Sequence, residues 1–151
     1  MHQTLDFDRG LLRLPAIDDD TMVARLLAPE IRQPQVRRQD TKYEPAVRCV
    51  AAYEVRPHGR SETSPVMGAV VVTPGEVIAF PIDRDPQLPG LAQALDGSTM
   101  ADRLAAAVGS TGGSAGCRAH PVRYKPGVRC VIRFDVETAA GSSVLYGKLY
   151  A

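Results

Sequence analysis

The side chains most able to do chemistry in this 151-residue chain are three cysteines, three histidines and one lysine in a glycine- and tyrosine-rich stretch. Cys49 and Cys130 fall on the inward, apolar faces of two expected strands, where a free thiol behaves as a small hydrophobe. Cys117 stands alone in an expected loop, and no Cys or His pair has metal-ligand spacing, so no metal site is expected. His2 is near the terminus, His58 is at a hairpin tip and His120 precedes Pro121. None has a Ser or Cys partner implied by the sequence, so a catalytic triad is not supported.

Gly141-Ser-Ser-Val-Leu-Tyr-Gly-Lys148 has the outline of a Walker-type phosphate loop. Its spacing is one residue too long and Leu149 replaces the required Ser or Thr, so a β-hairpin is the better reading. Lys148 is flanked by Tyr146 and Tyr150 at strand spacing. Facing inward it would be costly unless it met an anion; the spacing favours a solvated Lys148 with Leu145 and Leu149 inside. Its counterpart in the first half is expected to be Ala69, as that of Gly147 is Gly68. The glycine-rich run from Gly109 to Gly116 follows a helix and precedes a strand, the wrong order for a phosphate cradle, and reads as a linker.

The elements that position these residues come in two similar sets. Tyr43-Glu-Pro-Ala-Val-Arg-Cys-Val-Ala-Ala-Tyr-Glu-Val55 and Tyr124-Lys-Pro-Gly-Val-Arg-Cys-Val-Ile-Arg-Phe-Asp-Val136 match in order at Tyr, Pro, Val, Arg, Cys, Val and Val, which reads as a tandem duplication. Each is a turn followed by an alternating strand. Val47, Cys49, Ala51, Tyr53 and Val55 are expected inside in the first copy, and Val128, Cys130, Ile132, Phe134 and Val136 in the second. Each copy is preceded by a helix. One is capped by Asp18-Asp-Asp-Thr and runs to Ala28, with Met22/Leu26 and Val23/Leu27 as its buried stripe. The other opens at Ser98 with Thr99 as cap, buries Met100, Leu104 and Val108, and ends at Gly109.

Residues 1–17 read as an irregular lead-in, Pro57 to Pro65 as a polar hairpin tip, Val66–Val72 and Val77–Phe80 as strands about the Thr73–Glu76 turn, and Leu91–Leu95 as a short helical turn. Val122–Lys125 reads as a strand, Thr138–Ser142 as a hairpin tip and Val144–Tyr150 as the last strand. The expected fold class is therefore α+β, two tandem pseudo-repeats, each a helix packed on a three- to four-stranded antiparallel sheet. The first unit spans 1–83 and the second 84–151, divided in a proline-spaced connector.

An apolar fraction of 44% and a charged fraction of 23% are those of a soluble globular protein. The net charge of +1 gives no reason to expect nucleic acid or an anionic membrane as partner. The start of the chain has neither a basic nor an apolar run, and the three cysteines form no disulfide framework, which together favour the cytoplasm. Abundant Ala, Arg, Val and Gly with little Lys suggest a bacterial genome of high GC content.

Tyr124-Lys-Pro-Gly-Val-Arg-Cys-Val-Ile-Arg-Phe, followed by Val144-Leu-Tyr-Gly-Lys-Leu-Tyr, resembles the start of aminoglycoside-phosphotransferase-like small-molecule kinases, and Asp85–Asp96 is similar to the region ahead of their nucleotide lobe. The resemblance covers residues 85–151. It implies that Pro126 and Gly127 form the turn covering a nucleotide, that Lys148 contacts ATP phosphates, and that the first unit is a cap like that of maltokinase-like members. The sequence has no His-Gly-Asp catalytic loop and no metal-binding Asp motif. The resemblance thus implies the N-terminal part of such a kinase, not catalytic alone, using ATP only with a C-terminal lobe or another protein as partner. The alternative is a non-catalytic protein-interaction or dimerisation module of two helix–sheet units, pairing or forming a homodimer through the edge of Val144–Tyr150.

Overall fold

Two antiparallel sheets with a few helices make up the chain in a computed structural model, which describes residues 15–59, 64–110 and 115–151. His2, the lead-in before Pro15, residues 60–63 of the hairpin tip and 111–114 of the linker lie outside the described residues. The chain divides into two compact units, Met1–Pro81 and Ile82–Ala151. The fold class is α+β.

In the first unit, α1 (Pro15–Asp18) and α2 (Asp20–Leu27) precede a sheet of β1 (Pro34–Glu44), β2 (Arg48–Pro57), β3 (Val66–Val72) and β4 (Val77–Pro81), ordered β1-β2-β3-β4. A helical turn thus occupies Pro15–Asp18, part of the expected lead-in. Asp19 caps α2 by accepting the amide of Met22 at 3.0 Å. The helix buries Val23, Ala24 and Leu27, while Leu26 is exposed. The buried stripe is thus turned toward Ala24 and Ala28 from the expected one, with Met22 half-buried at its margin. On β2, Cys49, Ala51, Tyr53 and Val55 are buried as the alternation requires. Tyr53 donates its hydroxyl to the carbonyl of Ile17 at 2.6 Å, so its one polar atom is satisfied inside the core. Burial pushes that phenol's pKa well up.

Two inward assignments fail. Val47 and Val128 are exposed, since both belong to the turns that precede their strands. Ala52 is buried although it sits on the other face of β2 from Cys49 and Tyr53.

In the second unit, a 3-10 turn at Ile82–Arg84, α3 (Leu91–Leu95) and α4 (Gly97–Ala107) lead into β5 (Gly116–Lys125), β6 (Arg129–Thr138) and β7 (Gly141–Tyr150), ordered β5-β6-β7. Asp96, not Thr99, caps α4. Its carboxylate accepts the amide of Ser98 at 3.0 Å and the hydroxyls of Ser98 and Thr99 at 2.7 and 2.6 Å. The hydroxyls of Thr99 and Ser98 hold that carboxyl down at about 2. Thr99 is a donor to the cap, and a carboxylate accepts amide protons better than a hydroxyl does. The face of α4 that is fully buried is Ala101 and Ala105, with Met100, Leu104 and Val108 half-buried at its margins. Small residues let the helix lie close on the sheet.

β5 is longer than the four residues expected. It carries an irregularity between Pro121 and Arg123. Proline has no ladder donor to give, so an edge strand with a bulge is where it fits. The β6–β7 hairpin is tighter than expected, with Thr138 pairing Gly141 across two alanines.

Strand register corrects one equivalence. With Cys49 set against Cys130, Val50 pairs Val71 and Val131 pairs Lys148. The residue of β3 in the place of Lys148 is therefore Val71, not Ala69. Gly68 faces Tyr53 whereas Gly147 faces Ile132, two residues out of step. Identity of residue type had suggested a match that pairing does not support.

Candidate functional site

The three residues singled out by the resemblance lie at one end of the β5-β6-β7 sheet. Lys125, Pro126, Gly127 and Val128 form a tight turn closed by the amide of Val128 donating to the carbonyl of Lys125 at 3.0 Å. Proline second and a left-handed third residue, Gly127 at φ 66°, are what a type II turn asks for. In the first unit Glu44 to Val47 closes the same way at 3.0 Å, with Ala46 at φ 57°. There an L residue carries a strain that Gly127 avoids.

The turn is held by a carboxylate that no sequence motif marked. Asp85 is 2% exposed and is the buried charged residue among the described residues. Its Oδ2 accepts the hydroxyl of Tyr124 and the amide of Gly127, each at 2.8 Å. Its Oδ1 accepts the amide of Gln87 at 2.9 Å. The strap that carries it cannot become helix, because Pro86 and Pro89 interrupt it. It folds instead as successive turns, Asp85 amide to Ile82 carbonyl at 3.3 Å and Leu88 amide to Asp85 carbonyl at 3.1 Å. Leu88 and Leu91, both fully buried, pin the strap so that Asp85 turns inward. Burial, then the hydrogen bond to Asp85, pushes the Tyr124 phenol far up, so that it stays a donor.

Two consequences bear on function. The Gly127 amide is already engaged, so it is not a free donor for a phosphate. The strap also packs on the buried, Tyr124 side of the sheet, with Gln87 Cγ 3.5 Å from the position of a Cβ on Gly127.

Lys148 is on the other side. Along β7, Val144, Tyr146, Lys148 and Tyr150 are exposed while Leu145, Gly147 and Leu149 are half-buried. The solvated reading holds. Lys148 pairs across to Val131, and the next pair toward the turn on the same face is Tyr150 with Arg129, beyond Leu149 with Cys130. Lys148 therefore stands on the open face, two residue pairs back from the Arg129–Tyr150 pair that borders the Pro126–Gly127 turn, and has no ion-pair partner among the described residues. β7 is an edge strand in this sheet.

The cysteines are no catalysts by environment. Cys49 and Cys130 are fully buried, and burial pushes both thiols up, that of Cys130 to about 11. Cys117 is partly exposed, its thiol also raised by burial and by the Asp135 carboxylate. Iodoacetamide at a pH of about 8 is expected to alkylate Cys117 first in the folded chain, with Cys49 and Cys130 reacting only on unfolding. Peptide mass mapping checks this; early labelling of Cys130 would contradict it. Among the described residues no group of three or more His, Cys, Asp or Glu is placed to hold a metal, and no helix is long and apolar enough to cross a membrane.

Sequence reading missed Asp85 because its partners are 39 and 42 residues away. A weak signal existed: an acid placed directly before Pro86 in a proline-spaced strap. It also missed how the basic residues of three strands line up, which only register reveals.

No protein family, curated protein or solved structure matches this chain.

Proposed function

We propose that Ile82–Ala151 is part of the nucleotide-binding lobe of an aminoglycoside-phosphotransferase-like kinase, with Lys148 as the contact to ATP phosphates. The observation that supports this reading is the position of Lys148: exposed, unpaired among the described residues, and on the open face of the sheet two residue pairs back from the last pair before the fixed Pro126–Gly127 turn. An ammonium so placed can meet a phosphate without first breaking an internal ion pair. In this reading Pro126 and Gly127 are a wall of set shape at the end of the sheet, since the amide of Gly127 is held by Asp85. The first unit serves as a cap. The 151 residues hold no His-Gly-Asp motif, so the base and the magnesium ligands of phosphoryl transfer come from another polypeptide segment, and this chain's share is binding. Three free cysteines suit a reducing, cytoplasmic setting.

Titration of the chain with ATP, followed by amide chemical shifts, tests the reading. Shifts are expected on β7 around Lys148 and on the facing residues of β6, and Lys148→Met is expected to weaken binding about tenfold or more. No shift on β7 at about 10 mM ATP, a concentration that saturates even millimolar sites, would sink the assignment.

A further inference from the structure

Net charge is a poor guide to this chain because the second unit keeps its charges apart. Register places Arg118, Arg123 and Lys125 of β5, Arg129 and Arg133 of β6 and Lys148 of β7 on the open face of the sheet. These are six of the eight Lys and Arg between Ile82 and Ala151, against two of its six carboxylates, Asp135 and Glu137. That face carries a net +4 in a chain whose total is +1. The two carboxylates are used locally, Glu137 by Arg118 at 2.9 Å and Asp135 by Arg133 at 2.8 Å. Arg123 and Lys148 are exposed and have no ion-pair partner among the described residues, and Nε of Arg129 is buried without an acceptor. Such cations can meet an anion without first breaking an internal ion pair.

Two aromatic rings share the face. Tyr146 and Tyr150 are 66% and 59% exposed, and each stands across from an arginine, Arg133 and Arg129 respectively. Exposed rings on a sheet face, beside guanidinium groups, make a platform on which bases stack regardless of sequence. Cations alone would suit any polyanion; the rings select one with planar groups. The cationic track runs from Arg118 to Lys125 along β5, roughly 20 Å at strand rise. That is longer than a single phosphate contact at Lys148 requires.

We propose that the open face of the β5-β6-β7 sheet binds single-stranded nucleic acid, with Tyr146 and Tyr150 stacking bases and Arg123, Arg129 and Lys148 holding the backbone phosphates. This goes beyond the mononucleotide reading, which needs only the Lys148 end of the face.

Fluorescence anisotropy of a labelled oligothymidylate of about fifteen nucleotides, long enough to cover a site of ordinary size, provides the test on the whole chain. Binding is expected to weaken with added salt at a logarithmic slope of about −2, as three phosphate contacts on a single strand imply. Tyr146→Ala and Tyr150→Ala are each expected to weaken it about tenfold, with the Phe variants close to wild type. Arg123→Gln should lower the salt slope by about 0.7. All these positions are on the open face, and unchanged melting by circular dichroism identifies variants that still fold. Lys148→Met separates the two readings: it should weaken ATP binding about tenfold or more while oligonucleotide binding persists through the other cations. Absence of binding at about 25 mM salt, where electrostatic binding is strongest, overturns the proposal. So does binding insensitive to both alanine variants and matched by heparin, which would make the face a general polyanion surface. Preferential capture by phosphatidylserine vesicles overturns it in favour of a membrane.

Discussion

Replacing Asp85 with alanine is expected to cost the second unit about 3 kcal/mol of stability. The carboxylate is buried and accepts three hydrogen bonds, from Tyr124 Oη, the Gly127 amide and the Gln87 amide. Each is charge-assisted, of the kind that contributes about 1.5–3 kcal/mol net. The variant recovers the desolvation of one carboxylate, which offsets part of the sum. What remains is the cost of a buried phenol and two amides left without acceptors.

Asn separates the contributions. Its carbonyl can take the place of Oδ2 and keep Tyr124 and Gly127, but its amide group then faces the Gln87 N–H, donor against donor. Asp85→Asn should therefore cost about half as much as the alanine variant, and Tyr124→Phe about 1.5 kcal/mol. Urea unfolding of the whole chain, read by amide exchange on β5 and β6, measures all three. A loss below about 1 kcal/mol in Asp85→Ala would mean that water replaces the carboxylate and that the strap is not what holds the turn.

Gly97→Ala is expected to be the most damaging change of a single methyl group. Gly97 is the first residue of α4, and a Cβ there would lie 2.1 Å from the carbonyl oxygen of Cys117 and 3.0 Å from its carbon. The obstacle is the backbone of β5, so no rotamer relieves it. Either α4 moves off the sheet, uncovering Ala101 and Ala105, or β5 is displaced. Overpacking of this kind costs about 3 kcal/mol, against which the better helix propensity of alanine returns less than about 1 kcal/mol. Gly75→Ala is the control: nothing lies within 4 Å of the added carbon and the backbone is not left-handed, so it should be neutral within about 0.5 kcal/mol. Chemical denaturation of the two variants beside the parent checks this. Equal stability of Gly97→Ala and Gly75→Ala would show that the helix start tolerates a shift without loss of packing.

Much of the architecture was legible in the residues. Alternation from Cys49 to Val55 and from Cys130 to Val136 assigned the buried faces correctly, because side-chain direction in a strand is a local property of period two. The Thr73–Glu76 turn and the short helix Leu91–Leu95 were equally local, set by Pro, Gly and flanking apolar residues. The face of Lys148 followed from the same alternation. Helix caps were less secure. Asp96 and Thr99 both suit a cap, and geometry chose the carboxylate.

What the residues left undetermined is pairing. Whether Lys148 matches Ala69 or Val71 depends on how far each hairpin slides, and no single strand states it. The buried role of Asp85 depends on a strap meeting a turn 42 residues later. The gathering of six cations on one face depends on three strands in register, which a net charge of +1 conceals. The sequence by itself determined which residues turn inward and where the chain bends, since those follow from neighbours a few bonds away. Tertiary structure alone decided which residues share a rung and which carboxylate closes the Pro126–Gly127 turn, because hydrogen-bond register joins atoms that the chain holds far apart.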